Sequence, residues 1–372
     1  MNYSERVRLH YKPQKGWIND PNGLVWFDGW YHLFYQHNPF SETPFEGPMY
    51  WGHARTKDFL AFEELPLALA PEKPYDKGGC WSGTAIVRDD TLFLFYASIR
   101  PGEDPHITGT ESVSVAYSKD GVHFEKYEGN PVIAAHPDEG CPDFRDPAVT
   151  QIDGRYYLVM ASGKADKTAA RLLLYESGDL LVWTYRGVLY EWPNAMVAEC
   201  PSITVNGNEL FIGASVVRRD EHELLSHEFF LMCGSMRDGV FMPRVVGSVD
   251  RGPDQYAGQF FAAPDGRKIM ISWIPGWDYR GFAEKDIGCL SLPREIVCRD
   301  GKLYGYPVKE VRHLLTDGDE ALERTETGFI IRREGREPVV YTGEVKSLAC
   351  LRDAYILEVF VNGGEDVFTA IL

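Results

Sequence analysis

The stretch "VWFDGWYHLFY" at residues 25–35 predicts a β-hairpin, because apolar and aromatic residues flank the tight-turn pair Asp28-Gly29. Four later segments repeat this pattern about every 60 residues. They are "AIVRDDTLFLFY" (85–96), "VTQIDGRYYLVM" (149–160), "ITVNGNELFIGA" (203–214) and "FFAAPDGRKIMISW" (260–273). Five copies of one hairpin indicate a chain built from five repeated units.

A second turn recurs with the same period, after a further apolar strand in each unit. Its aspartates are Asp58, Asp120, Asp179, Asp238 and Asp300. Each unit then holds four antiparallel strands, and five such units are typical of a five-bladed β-propeller. An irregular β-sandwich with chance Asp-Gly turns is the alternative, and the ordered recurrence of two turns argues against it. We therefore predict an all-β fold with a five-bladed β-propeller catalytic domain at residues 1–305.

The last part of the chain, residues 306–372, predicts a linker and a short, truncated β-sandwich-like module. "VKEVRHLL" (308–315) has the pattern of a short helix, and strands such as "GFIIRR" (328–333) and "YILEVFV" (355–361) follow it. The module is short for an independent sandwich, which usually takes about 100 residues. Uncovered strand edges would invite pairing, so we predict that the module packs on the propeller or forms a homodimer.

The amino-acid composition limits the kinds of molecule that the protein is expected to bind. The net charge is −17 and no cluster of lysine and arginine stands out, which argues against nucleic acid and anionic membranes but leaves a small phosphorylated ligand open. The sequence has no apolar run of membrane length and no signal-like start, so we predict a cytoplasmic protein. Seven scattered cysteines without a CxxC pair predict reduced thiols. We expect neither a metal nor an organic cofactor.

Three acidic residues precede predicted hairpins at comparable places in their units. The segments ahead of the five hairpins read "WINDPNG", "WSGTAIV", "FRDPAVT", "AECPSIT" and "YAGQFFA". They place Asp20, Asp146 and Glu199 at the start of the first strand of blades one, three and four, where a propeller opens into its funnel. One such acid is usually a solvated cap, but three converging on one axis repel one another, which favours a functional site.

Grouped carboxylates suit glycoside hydrolysis through an oxocarbenium-like transition state. One carboxylate acts as the nucleophile, and another, with a raised pKa, protonates the leaving oxygen. A five-bladed enzyme acting on pentosides would need similar acids. A carbohydrate-binding propeller without catalysis is the alternative from a different class, and the presence of all three acids argues against it.

The motifs themselves resemble those of a known family. "WINDPNG" resembles the WMNDPNG box of glycoside hydrolase family 32, the β-fructofuranosidases, and "YHLFYQHNP", "WGHA", "WSGT", "FRDP" and "AEC" follow in the family's order. The resemblance covers residues 8–305, and "ILEVFVNGG" is similar to the end of the family's β-sandwich. The chain departs from the family at Ile18, where Met is usual, and at Ser202, where many relatives have Asp. Its C-terminal module also resembles a shortened version.

The resemblance implies a role for each acid: Asp20 is the nucleophile, Glu199 the general acid/base and Asp146 the stabiliser of the transition state. It implies a further set of residues that bind the sugar substrate. These are Asn19, Gln36, Trp51, Trp81, Ser82, Arg145, Cys200, Tyr256 and Trp273. Cys200 is expected against Glu199, and core packing remains the competing explanation for each aromatic residue. The implied enzyme is an exo-acting, retaining β-fructofuranosidase for sucrose or short fructo-oligosaccharides.

A sucrose-6-phosphate hydrolase is the nearby alternative, and the predicted cytoplasmic location favours it. It needs a cationic pocket, for which the candidates are Arg100, Arg218, Arg219 and Arg280. A fructosyltransferase would use the same catalytic residues. The sequence leaves linkage and chain-length preference open.

Overall fold

The computed structural model describes residues 6–43, 46–102, 109–207, 209–219, 225–275 and 288–372. Its regular structure is almost entirely β-strand, which confirms the predicted fold class. No helix in this described part has the length and apolar character that crossing a membrane requires.

Five antiparallel sheets follow one another along the chain. Blade one contains β1 (Trp17–Phe27), β2 (Trp30–Asn38), β3 (Tyr50–Thr56) and β4 (Phe62–Leu69). Blade two contains β5 (Gly79–Arg88), β6 (Thr91–Arg100), β7 (Thr110–Ser118) and β8 (Glu125–Lys126). Blade three contains β9 (Arg145–Ile152), β10 (Arg155–Gly163), β11 (Ala169–Ser177) and β12 (Thr184–Pro193). Blade four contains β13 (Val197–Asn206), β14 (Glu209–Arg219), β15 (Leu225–Arg237) and β16 (Val240–Gly247).

Blade five closes the ring. It contains β17 (Tyr256–Ala262), β18 (Lys268–Ile274), the short β19 (Cys289–Leu290), β20 (Arg294–Arg299) and β21 (Lys302–Pro307). The first strands of the blades contact one another in cyclic order, and β17 returns to β1. The five-bladed propeller predicted from the repeats is therefore confirmed, with β1, β5, β9, β13 and β17 around the axis.

The two recurring turns have different structures. The hairpin turns use left-handed residues, such as Asp28 (φ 46°) followed by Gly29 (φ 78°), which match the twist of paired strands. In blade one the second turn is a capped loop, in which the Asp58 carboxylate accepts the backbone N–H groups of Leu60 and Ala61. Blades two and three repeat this capped loop, whereas blades four and five use two-residue Asp-Gly hairpins.

The C-terminal module consists of two small antiparallel sheets after a single 3₁₀ turn at Arg312–Leu314. The sheets contain β22 (Leu322–Arg324), β23 (Phe329–Ile331), β24 (Val339–Tyr341), β25 (Leu348–Asp353), β26 (Ile356–Val361) and β27 (Asp366–Ile371). Residues of both sheets, including Phe329, Leu357 and Phe368, form one apolar cluster between them. The predicted strands are present, and β22, whose sequence is Leu-Glu-Arg, was not predicted because it has two charged residues and a single apolar one.

The propeller covers one edge of this module. Segment 250–254 runs beside β27, where Arg251 N–H donates to the Val367 carbonyl at 2.7 Å. The Thr369 N–H donates to the Asp250 carboxylate at 3.0 Å. The uncovered edge that motivated the predicted homodimer is thus absent at β27. The homodimer, the boundary at residue 305 and the cytoplasmic location stay predictions.

A buried charged network joins the propeller to the module. Arg294, which has no exposed surface, donates to Asp250 at 2.6 Å and to Glu358 at 2.9 Å. The His10 ring lies between Asp353 at 2.9 Å and Glu358 at 3.0 Å. Buried charges are tolerated only when paired, so these contacts fix the module in one position.

Stability should fall at alkaline pH because of His10. Burial lowers the pKa of His10, but its two carboxylate partners outweigh burial and raise the pKa to about 9. A histidine whose pKa rises on folding stabilises fully below pH 6.5, and that stabilisation, about 3 kcal/mol here, disappears as pH rises through about 9. Urea unfolding across this range should show the decline in the native protein and a flatter curve in His10→Gln.

The exposed pair of His123 with Asp120 provides the control, because His123→Gln removes a histidine–carboxylate contact that is open to solvent. This variant should keep the native pH dependence. Equal slopes for the native protein and His10→Gln would refute the assignment to His10.

Candidate active site

The five inner strands each carry a β-bulge at the same level of the funnel. In each bulge two residues of the inner strand face one residue of the second strand. The bulged pairs are Asn19-Asp20, Trp81-Ser82, Asp146-Pro147, Cys200-Pro201 and Ala257-Gly258. A bulge changes the direction in which the side chains of a strand point. The five bulges, which form a ring around the propeller axis, therefore direct side chains from all five blades into one space.

The three acids occupy three different positions around these bulges. Glu199 directly precedes the bulge of β13, whereas Asp146 is the first and Asp20 the second bulged residue of its strand. The sequence placed them in equivalent positions. In the structure the three acids lie at similar distances along the propeller axis, but they occupy different positions relative to the bulge of their strand. Asp20 lies inside β1, where the bulge interrupts the pairing with β2 between Ile18 and Pro21.

Side chains at equivalent positions of neighbouring blades bind one another. Ahead of the bulge, Arg145 donates to one oxygen of Glu199 at 2.8 Å, and the Tyr256 hydroxyl donates to the other at 2.5 Å. Arg145 also binds Glu111 at 3.1 Å and Asp143 at 3.0 Å. One guanidinium therefore neutralises part of a strongly acidic group and orients the Glu199 carboxylate.

The bulged positions are linked in the same way. Ser82 donates to the Asp20 carboxylate at 2.9 Å, and Cys200 N–H donates to the Asp146 carboxylate at 2.8 Å. Both Asp146 (φ 61°) and Cys200 (φ 47°) have left-handed backbone conformations, which are uncommon for residues other than glycine. Such strain persists only where the surroundings enforce it, and it is frequent at functional sites.

These groups line one cavity of about 330 Å³ at the mouth of the funnel. Its lining residues are Asn19, Asp20, Gln36, Gly47, Met49, Gly78, Trp81, Ser82, Arg145, Asp146, Glu199, Cys200, Tyr256 and Trp273. Every predicted site residue except Trp51 is among them. The sequence reasoning missed Gly47, Met49 and Gly78, which lie in loops between strands and belong to none of the motifs used.

Trp51 lies behind the cavity wall. Its side chain is fully buried, and its indole N–H donates to the Trp81 carbonyl at 2.9 Å. This placement corrects the prediction that Trp51 contacts the sugar, and we assign it instead to positioning Trp81. Gly79 helps in the same way, because a Cβ there would come within 2.7 Å of the Trp81 indole.

Only one tryptophan of the first hairpin supports the nucleophile candidate. The Trp17 indole N–H donates to the Asn19 side chain at 3.0 Å, and its ring packs edge-on against Trp273. Trp26 and Trp30 lie at the other end of the hairpin. The aromatic hairpin therefore anchors the bulge through Trp17 alone.

Comparison with known proteins identifies the family. The family model of the glycosyl hydrolases family 32 N-terminal domain matches residues 10–307. The chain belongs to glycoside hydrolase family 32. It is 37% identical over 326 residues to a raffinose invertase of Escherichia coli, covering 82% of this chain and 65% of that protein. It is 34% identical over 352 residues to a sucrose-6-phosphate hydrolase of the same organism, covering 89% and 70%.

The chain thus spans about two thirds of the length of these curated relatives. Among solved structures, a β-fructofuranosidase of Bombyx mori superimposes with a TM-score of 0.85 at 28% identity, covering 100% of this chain and 89% of that one. A sucrose-6-phosphate hydrolase of Lactobacillus gasseri gives a TM-score of 0.84 at 24% identity, covering 100% and 88%, and shares the fold.

Two of the three acids in this family 32 site have raised pKa values. Burial raises the pKa of Asp20 to about 6, against the opposing hydrogen bonds from Ser82 and Cys200. Burial likewise raises the pKa of Asp146 to about 7, which the nearby Arg145 offsets only in part. Both carboxyl groups are therefore poised to exchange a proton near neutral pH.

Glu199 behaves differently. Burial acts to raise its pKa, but the charge of Arg145 and the hydrogen bond from Tyr256 outweigh burial and hold the pKa below its usual value. The sequence led us to expect a raised pKa for the general acid. This expectation is wrong for Glu199, because its two donors both favour the ionised form.

Cys200 contacts a different acid from the one expected. Its thiol lies 3.3 Å from the Asp20 carboxylate and donates to it, whereas the sequence placed it against Glu199. Burial raises the pKa of the Cys200 thiol, so the group remains a neutral donor. All seven cysteines are unpaired, as predicted. In the described ranges, no group of three or more histidine, cysteine or acidic residues is arranged to hold a metal ion.

Proposed function

We propose that this protein is a retaining, exo-acting β-fructofuranosidase that hydrolyses the fructosyl bond of sucrose or short fructo-oligosaccharides. The observation that carries the proposal is the meeting of Asp20, Asp146 and Glu199, from three different blades, in one cavity with Arg145. The names of the relatives support it, since they include an invertase and sucrose-6-phosphate hydrolases. A variant of the Bombyx mori enzyme is described in complex with sucrose.

Hydrolysis would proceed in two displacements. Asp20 attacks C2 of the fructosyl unit while Glu199 gives its proton to the departing oxygen, so the sugar bond breaks and a fructosyl ester forms on Asp20. Glu199 then takes a proton from water, which attacks C2 and releases fructose with Asp20 regenerated. Two donors on one Asp20 oxygen, Ser82 and Cys200, fix the orientation of the carboxylate.

Binding of the substrate would place the protons on the correct carboxyl groups of the site. The reaction needs Asp20 ionised and Glu199 protonated, whereas burial raises the pKa of Asp20, and Arg145 and Tyr256 lower that of Glu199. Sugar hydroxyls that donate to Asp20 and Asp146 would lower their pKa values, and exclusion of water around Glu199 would raise its pKa. Binding therefore shifts a proton towards Glu199.

The shape of the cavity supports exo action. About 330 Å³ accommodates one or two sugar units, and the fully buried Trp273 belongs to its wall. A single terminal fructosyl unit would fill the end of the cavity, with the remainder of the substrate towards the mouth. The enzyme's preference for short or long fructan chains would then depend on the residues around the mouth of the cavity.

Product release from sucrose, sucrose-6-phosphate, kestose, inulin and levan tests the proposal, with Asp20→Asn as the blank. Fructose is expected from sucrose or its 6-phosphate and from kestose, faster than from the polymers. Release from none of the five substrates would refute the proposed function. Fast internal cleavage of inulin or levan would refute exo action.

A further inference from the structure

We propose that Asp76 is a positioning residue for the nucleophile Asp20 and that it acts through Ser82. Asp76 lies in the loop between β4 and β5, has no exposed surface and does not line the cavity. The inference rests on the proposed function, because it concerns how Asp20 is oriented for that reaction.

Both oxygens of the Asp76 carboxylate accept hydrogen bonds. One accepts the backbone N–H groups of Glu72 at 3.1 Å and Lys73 at 2.8 Å. The other accepts the Tyr96 hydroxyl at 2.8 Å and the Lys126 ammonium at 2.5 Å. The carboxylate therefore joins its own loop to the second and the outer strand of blade two, β6 and β8.

A short stretch of chain connects this carboxylate to the cavity. The Gly79 N–H donates to the Asp76 carbonyl at 2.8 Å, and the Cys80 thiol donates to the Asp76 carboxylate at 3.8 Å. Trp81 and Ser82 follow as the two bulged residues of β5. A displacement of Asp76 therefore moves the beginning of this bulge.

Blade one holds the same stretch from the other side. Gln36 donates to the Cys80 carbonyl at 3.0 Å, and the Cys80 N–H donates to the Met49 carbonyl at 2.9 Å. The Ser82 hydroxyl then donates to the Asp20 carboxylate at 2.9 Å. Because a hydrogen bond weakens as its distance and angle depart from the optimum, this last contact depends on how firmly the Ser82 backbone is held.

Stability alone does not explain an ion pair at this place. The Asp76 side chain is fully buried, and only 6% of the Lys126 side chain is exposed. Taking two charges out of water costs about as much as their attraction returns, and apolar residues often replace such pairs without loss of stability. Displacing one partner leaves a buried charge uncompensated, so the pair does fix the geometry of the loop.

Sequence reasoning missed Lys126, because it singled out only arginines as candidate cations. Arg100 and Arg219 end their strands at exposed positions, and Arg218 directly precedes Arg219. Arg280 lies outside the described residues. Lys126 lies in β8, a strand of two residues that belongs to none of the motifs.

A double-variant cycle tests the inference, with kcat/KM measured on the substrate that the native protein hydrolyses fastest. Asp76→Asn should lower kcat/KM about fivefold, mainly through kcat, because Ser82 no longer orients Asp20 as well. In the Ser82→Ala background the same substitution should cost less than about twofold, since the contact through which it acts is already lost. Losses that simply multiply would show that Asp76 and Ser82 act independently, which would overturn the inference.

Glu358→Gln is the matched control. It removes one carboxylate from another buried ion pair, that of Glu358 with Arg294 in the network that holds the C-terminal module. Its melting temperature should fall while its kcat/KM stays native, and an equal loss of kcat/KM would attribute the effect of Asp76→Asn to general destabilisation. If Asp76→Asn does not fold, Tyr96→Phe, which keeps the ion pair and removes one donor, takes its place in the same cycle.

Hydrogen exchange tests the inference without catalysis. The N–H groups of Gly78 and Gly79 donate to the carbonyls of Ile99 and Asp76, each at 2.8 Å. In Asp76→Asn these amides should exchange at least about tenfold faster, whereas peptides from β10 should keep the native rate. Unchanged exchange would overturn the inference. If the native protein hydrolyses no substrate, the proposed function fails, and this measurement still decides whether Asp76 holds the loop.

Discussion

Replacing Asp20 with asparagine is expected to lower kcat for sucrose by about 10⁴-fold or more. The amide cannot form the fructosyl ester, and loss of a covalent nucleophile removes most of the rate enhancement. KM should change little, because the amide keeps the shape of the carboxylate. Folding should be intact, since burial already disfavours the charge of Asp20. Steady-state kinetics and thermal unfolding of the same preparations check both statements.

Ser82→Ala is the matched control for this variant. It removes one hydrogen bond to the Asp20 carboxylate and leaves the nucleophile in place. We expect a loss of about tenfold, the size typical of one hydrogen bond to a charged group. Turnover of Asp20→Asn close to that of the native protein would show that another group attacks the sugar.

Replacing Glu199 with glutamine is expected to lower kcat/KM for sucrose by about 10³-fold, the contribution typical of general acid–base catalysis. The loss should be much smaller for formation of the fructosyl ester from a fructoside whose leaving group departs without a proton. The pH profile of kcat/KM should also lose the decline that the ionisation of Glu199 causes. Kinetics with sucrose and an aryl fructoside, measured across pH, check these outcomes.

Glu111→Gln separates this role from the pairing of Arg145. Glu111 is buried and binds the Arg145 guanidinium at 3.1 Å, as Glu199 does at 2.8 Å, but it does not line the cavity. Its variant should affect both fructosides alike and keep both limbs of the pH profile. An equal loss of both fructosides in Glu199→Gln would contradict its role as the acid.

The fold was predictable because the repeat is local. Each turn needs left-handed or capping residues, so Asp28-Gly29 and its four equivalents can be recognised in the sequence. The ring of bulges was not predictable, because a bulge depends on register against the second strand and not on any one residue. The repeats therefore predict that Asp20, Asp146 and Glu199 lie near the same end of their strands, but not that they occupy different positions around the bulge.

For the candidate site, too, the sequence motifs predicted only part of what the structure shows. Motifs pointed to the acids and most of the lining, yet Trp51, which also lies in a motif, is buried behind the cavity wall, where its indole N–H donates to the Trp81 carbonyl. The lowered pKa of Glu199 depends on Arg145 and Tyr256, which come from two other blades. Contacts between blades join residues that are far apart in sequence, so their electrostatic consequences appear only in the folded chain.

Trapping the fructosyl intermediate tests the central claim most directly. The Glu199→Gln variant should form the ester from an aryl fructoside and hydrolyse it slowly, because no general base activates water. Mass spectrometry of the digested protein should then find one added fructosyl unit on the peptide that contains Asp20. A fructosyl unit on any other peptide, or α-fructofuranose released with no adduct, would contradict the account.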